Sequence, residues 1–338
     1  MNKIFKVIWS KSKQCYIVVS EMAKNKTGKK KIVVASILAA LAIQTAGVID
    51  VAAAVGDQPS AAYANGTVAS GKTNGLAIGN FASSGSNQSI AIGYFSEATA
   101  PEVTPAALPA TAVGAGAKAK GYSTVALGLS AAAEADSATA LGSKTSATGD
   151  RSVAVGVSAE AKGRYASTLG AEASAVGNAT AIGAKSIASQ DAAVAVGTDS
   201  KATGNYASAL GADATASGND STAFGHGTVA AGASSTALGS RAKTGAVAGV
   251  GIGMLANATN QYGVAIGGES SSTADNSIAI GRKSSATGEN GIAIGTFTTS
   301  KGANGVAIGT NSTTSDQGGV AVGNAAKSTS TNTTAVGM

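Results

Sequence analysis

From residue 76 onward an Ala-aliphatic-Gly triad returns with a period of fourteen in all but two intervals, and no other feature limits the fold so tightly. Its glycines run from Gly79, Gly93 and Gly114 to Gly337, nineteen triads separated by eighteen intervals. Sixteen intervals have the spacing of Gly79–Gly93, which is fourteen; Gly93–Gly114 takes 21 and Gly170–Gly183 takes 13. The residue before the glycine is apolar all nineteen times, and the one before that is Ala in seventeen, with Thr168 and Gly251 the exceptions. A fixed period of this kind marks a stack of identical supersecondary units. A unit of this length accommodates two short strands and two tight turns. In Ser89–Gly93, Ile90 and Ile92 share one face of a strand. After the glycine, small residues alternate again (Ala117 and Ala119, Ala159 and Ala161), often followed by a second glycine such as Gly121 or Gly163. There a turn can take a positive φ without steric cost. Each coil is therefore expected to run strand, turn, strand, turn. The aliphatics are expected to stack in the core, with the triad Ala facing out as the close-contact residue between chains.

Other periodic folds fit poorly. A coiled coil needs bulky residues at two positions per heptad and few glycines, whereas this chain has one aliphatic cluster per repeat with a Gly beside it. A hexapeptide β-helix needs a period of six, and calcium-binding rolls need Gly-Gly-x-Gly-x-Asp runs. Composition agrees with a thin repeated core: Gly is 46 residues of 338, aromatics are 4% and charged residues 12%. A fully buried Leu, Ile or Phe contributes on the order of 1.5–3 kcal/mol, while ordering the backbone costs roughly 1–2 kcal/mol per residue. So narrow a coil is marginal alone, which predicts self-association. At about 4.8 Å per stacked strand, nineteen coils make a rod of roughly 90 Å.

The net charge of +6 is local. Residues 1–54 hold nine Lys against Glu21 and Asp50, a net of +7; the remaining 15 basic and 16 acidic residues give −1. Nucleic-acid binding needs a basic face on the folded part, and that part is near neutral. Cys15 is the only cysteine, so residues 55–338 can build neither a disulfide nor a thiolate metal site. Lys29 and KKIVVASILAALAI (30–43), followed by Ala52-Ala53-Ala54, have the order of a secretory signal. Its apolar run, Ile32 to Ile43, is shorter than the roughly 20 residues a membrane span requires. The expected organisation is a signal segment at 1–54, helical or unstructured, a lead-in at 55–75, and a β-roll at 76–338 with an insertion loop at 94–110.

Two stretches carry a family resemblance. Asn2-Lys3-Ile4, Val7-Ile8-Trp9 and Val18-Val19-Ser20-Glu21 resemble the extended signal region of large autotransporters. Asn276-Ser277-Ile278-Ala279-Ile280-Gly281, with the near matches NGIAIG at 290–295 and NGVAIG at 304–309, resembles the head repeat of trimeric autotransporter adhesins of the Yersinia adhesin type. The resemblance implies an all-β fold, a left-handed parallel β-roll assembled as a homotrimer on the surface of a Gram-negative bacterium. It also implies binding to host extracellular matrix of the collagen, fibronectin or laminin class. The family ties the repeat motif to matrix binding, which makes Asn276, Ser277, Ile278, Ala279, Ile280 and Gly281 candidate contacts, although Ile278 and Ile280 also read as core. Within residues 76–338 the repeats run to Gly337, and no neck, heptad stalk or membrane-anchor pattern is read among them. The expectation is a fragment, a truncated product or an anchor supplied by another polypeptide, and secretion where none is supplied.

Chemistry-bearing residues are few. His226 is the only histidine and sits just after a triad, as a turn residue would. With no cysteine in the repeats and no clustered carboxylates, neither a nucleophilic triad nor a metal site is expected. Gly249-Val250-Gly251-Ile252-Gly253 superficially suggests a phosphate loop, but it lies in register with the repeat and opens no helix. No catalytic residue and no cofactor are expected. The insertion holds Pro101, Pro105 and Pro109 and reads as a surface loop; Tyr94 and Phe95 beside it are candidate ligand contacts. Tyr122, Arg164-Tyr165 and Tyr206 recur after turn glycines as a sparse stripe. The Ser/Thr run at 328–334 raises ice binding, against which the Thr positions vary from coil to coil. The expected function is adhesion, with a ligand-free spacer rod or surface-layer component as the alternative.

Overall fold

The computed structural model describes residues 5–10, 15–20, 61–63, 67–68, 74–101 and 109–337. The chain divides into two compact units, Met1–Val48 and Ile49–Met338. In the first, strand β1 (Phe5–Ser10) pairs antiparallel with β2 (Cys15–Ser20), Phe5 opposite Ser20 and Ser10 opposite Cys15. The expectation for 1–54 is helical or unstructured, and the two strands correct it at Phe5–Ser10 and Cys15–Ser20. Val7, Ile8, Ile17, Val18 and Val19 are β-branched residues that favour a pleated strand. The apolar run at 32–43 and the cleavage region near Ala54 lie outside the described residues.

The second unit is a parallel β-solenoid with no helix among its described residues. Its coils contribute to two parallel ladders. One, here the triad sheet, is built from three-residue strands such as Ile278–Ile280. The other, the back sheet, is built from two-residue strands such as Ser285–Ala286. Adjacent coils pair residue for residue: Ile278 with Ile292, Ala279 with Ala293, Ile280 with Ile294. Turns are stapled along the axis too, the Asn276 amide donating to the Gln261 carbonyl at 2.9 Å. The ladder starts earlier than the triads do, because Ala61–Tyr63 already pairs with Leu76–Ile78.

The two irregular intervals leave the ladder intact. Across the long one, Ile90 pairs with Thr111 in register. Glu97–Ala98 and Thr111–Val113 are regular strands, so the extra residues fall between Pro101 and Pro109, a narrower insertion than 94–110. Across the short one, Ser167 pairs with Thr180, and Gly177 at φ 68 takes over the left-handed position of a turn one residue shorter.

The interior reverses one expectation. Triad alanines such as Ala91, Ala209 and Ala279 are fully buried, while the aliphatics either side of them point outward and stay partly exposed. Among the described residues the largest fully buried side chain is Thr. The reason is geometric. With so few residues per half-coil the sheets lie so close that only Ala, Ser, Thr or Gly fits between them, and forcing methylenes into so dense a space costs about 1–3 kcal/mol. Aliphatics in the core and Ala between chains is therefore incorrect; the same alternation holds with its faces exchanged. Neighbouring coils also share volume. A Cβ on Gly305 would sit 2.7 Å from the Thr314 hydroxyl of the next coil, so a glycine there makes room for a threonine.

Candidate adhesive surface

The motif Asn276–Gly281 can be read atom by atom. Asn276 is exposed and holds φ 56, a left-handed value that Asn tolerates better than most residues. Ser277 is fully buried; its hydroxyl donates to the Ala274 carbonyl at 2.7 Å and lies 2.6 Å from the Ser272 hydroxyl. Ile278 and Ile280 are partly exposed on the outside of the triad sheet, and Ala279 fills the interior. Gly281 has φ 125, and a Cβ there would strike the Gly295 carbonyl of the next coil. Each motif residue thus answers a demand of the coil. Ser277 and Ala279 offer nothing to a ligand, whereas Asn276, Ile278 and Ile280 present surface.

Three outward surfaces remain. The triad sheet presents two ranks of uncharged side chains, the second of which, from Ile78 through Leu169 and Phe224 to Ile308, is apolar in every coil. Leu169 is 52% and Phe224 53% exposed. The back sheet shows polar and charged residues, including the ion pairs Glu97–Lys120 at 3.4 Å and Glu160–Lys162 at 2.6 Å. Both are exposed and stabilise little. The third surface is the pair of edges formed by the turns.

Tyr94 and Phe95 lie on one turn edge, where they meet Phe81 of the preceding coil. Phe81 and Phe95 stack at 4.7 Å between centroids, and Tyr94 stands edge-on to Phe95 at 4.5 Å. All three rings are about half exposed. Phe81 and Phe95 are also in the left-handed region, at φ 60 and 53. A bulky residue there costs of order 1–3 kcal/mol unless something compensates. The rings pack on one another at the surface, Phe81 and Phe95 at a turn position that other coils fill with Ser, Lys, Glu or Asp in the same left-handed conformation.

The same pattern recurs along the rod. Of the nine aromatic residues whose side chains are described, six occupy left-handed turn positions: Phe81, Phe95, Tyr165, Tyr206, Tyr262 and Phe297. The stripe expected through Tyr165 and Tyr206 is thus part of a wider set, and Phe81, Tyr262 and Phe297 were missed. Counting from each triad glycine would have found them, since all six fall on the second or ninth residue of a coil. Tyr122 differs: its hydroxyl is buried without a partner. His226 is exposed and lies 3.7 Å from Asp213, as a solvent-facing turn residue.

Every coil repeats the same outward positions, so the solenoid presents a regular surface along its described length. The YadA head domain repeat matches at 70–96, 109–131, 119–145, 133–159, 147–173, 177–200, 188–214, 202–228, 216–242, 258–284, 286–313 and 315–338. The extended signal peptide of the type V secretion system matches residues 1–48. The chain belongs to the YadA head-repeat family, the trimeric autotransporter adhesins: it is an adhesin head, exported to the Gram-negative cell surface. Among solved structures it is similar to the collagen-binding domain of the Yersinia adhesin YadA, with 27% identity, 40% of this chain and 68% of that one covered, and a TM-score of 0.31. No curated protein matches it significantly.

Proposed function

We propose that the repeats form a homotrimer through their triad sheets and that the trimer attaches the bacterium to extracellular matrix. The observation that carries the assembly is the outward apolar rank. It is continuous from end to end, and faces of that kind mark interfaces. In the middle coils Ser167, Ser208 and Thr222 of the first rank stand with Leu169, Leu210 and Phe224 of the second, and Val153 and Val194 with Val155 and Val196, while Thr111 stands with Val113 and Ile278 with Ile280. An identical copy supplies such a face along the whole length, and closed cyclic symmetry keeps equal coils at equal height.

Matrix binding is supported by membership of the head-repeat family and by the strained aromatic cluster. Tyr94, Phe95 and Phe81 are its first contact candidates, Asn276 a weaker one. The Yersinia neighbour was crystallised as a collagen-binding domain; for this chain the collagen, fibronectin and laminin class is the proposal. Light scattering on the mature protein should give three times the chain mass, and immobilised collagen, fibronectin and laminin should then be tested in turn. Replacing Phe81, Tyr94 and Phe95 together by Ala should weaken binding at least tenfold. A folded trimer that binds none of the three would instead be a spacer.

A further inference from the structure

The edge holding the ninth residue of each coil carries tyrosines that the fold does not call for. Tyr165, Tyr206 and Tyr262 occupy it at φ 61, 57 and 55 and are 45%, 61% and 56% exposed. Asn276, Asn290, Asn304 and Asn332 hold the same position in other coils, where Asn suits the left-handed backbone far better. Ser137, Arg151, Ala192 and Asp220 take the same left-handed φ in other coils, so the turn itself does not require a ring, and the rings stay about half exposed.

We propose that this edge binds an extended glycan, its sugar rings stacking on Tyr165, Tyr206 and Tyr262. Three features favour a saccharide over a protein. The rings stand about half exposed, and protein hot spots need desolvated pockets, whereas the apolar face of a pyranose needs only one exposed ring. The residues beside the rings are planar hydrogen-bonding groups suited to vicinal hydroxyls. Asn205 precedes Tyr206, and Gln261, which is exposed, precedes Tyr262. Charge on the edge is mixed. Around Tyr165 two guanidiniums lie near the ring, Arg164 at 4.9 Å and Arg151 at 5.4 Å from its centroid, with Arg151 also donating to the tyrosine hydroxyl, and the residue stays 45% exposed. Asp150 lies beside them in sequence. A site for a polyanion would have one sign; this one suits neutral or singly acidic sugars. The rings are three and four coils apart, roughly 14 and 19 Å at about 4.8 Å per coil. Their occupant is therefore a chain of several units, or a field of short glycans bound multivalently. This ligand is separate from the matrix proteins proposed above, and the inference needs neither them nor the trimer.

The test compares the mature protein with the triple variant Tyr165→Asn/Tyr206→Asn/Tyr262→Asn on an array of defined neutral and sialylated oligosaccharides. Collagen and fibronectin surfaces run as protein arms. Asn is the residue this turn prefers, so the variant should keep or raise its melting temperature, and lost binding then reports lost rings. The expected result is glycan binding by the wild-type chain that falls at least tenfold in the variant, with binding to the protein arms unchanged. Three outcomes overturn the proposal: no glycan bound by the wild type, equal binding by the variant, or loss only on the protein arms. Loss of self-association in the variant would also overturn it, because the rings would then lie between copies.

Discussion

At the scale of single residues, backbone conformation explains more than side-chain chemistry does. Gly281 cannot be replaced cheaply: its φ of 125 disfavours any Cβ, and the next coil's carbonyl occupies the space. Gly281→Ala should cost about 3 kcal/mol or more. Because solenoid stability is a sum over neighbouring units, hydrogen exchange should show protection lost in the coils around 281 and kept elsewhere. Ser277→Ala should be milder. It removes a hydroxyl that closes a turn on the Ala274 carbonyl, a loss of about 1 kcal/mol, and ligand binding should not change because Ser277 has no exposed surface. Small types such as Ser and Thr recur at these positions for that local reason. Thr228 and Ser284 likewise donate to the triad glycine three residues earlier, at 2.8 and 2.9 Å.

At the scale of the strand, alternation settles what a substitution does. Ala209 and Ser208 are adjacent in one triad strand; Ala209 is fully buried and Ser208 faces outward. Ala209→Val should overpack the space between the sheets and cost about 1–3 kcal/mol. Ser208→Val should be tolerated, and stabilising if a second copy covers that face. Thermal melts of the two variants against the parent would separate the readings. Much of this strand was legible beforehand: its length, its period, its glycine and the opposition of Ala to its neighbours. Which face was inside was not. Period-two alternation is symmetric under exchange of faces, and the usual inference that larger apolar residues lie inside misleads when the gap between sheets admits nothing larger than Thr.

At the scale of the molecule, the outward apolar rank makes assembly testable in a protein with one convenient property. Cys15 is its only cysteine, within the part that matches the export signal. A single Leu210→Cys change in the mature chain should yield a covalent dimer under oxidation, because the proposed trimer brings equal residues together near its axis. Thr215→Cys, outward on the back sheet, should not. Cross-linking at 215 and not at 210, read on a non-reducing gel, would move the interface to the back sheet and overturn the proposed assembly.

The sequence by itself determined the coil: its length, its two strands and two turns, and its stacking in register. A period and its glycines are local facts, and backbone hydrogen bonding leaves few ways to satisfy them. It also marked the export segment and the family, which rest on residue order alone. Only the tertiary structure decided that Ala is the core and the aliphatics are the surface, that the signal region begins with a hairpin, and that the aromatics crowd onto left-handed turns. Those outcomes depend on how far apart two sheets stand and on which φ each turn residue takes, distances and angles that appear only when the chain closes on itself.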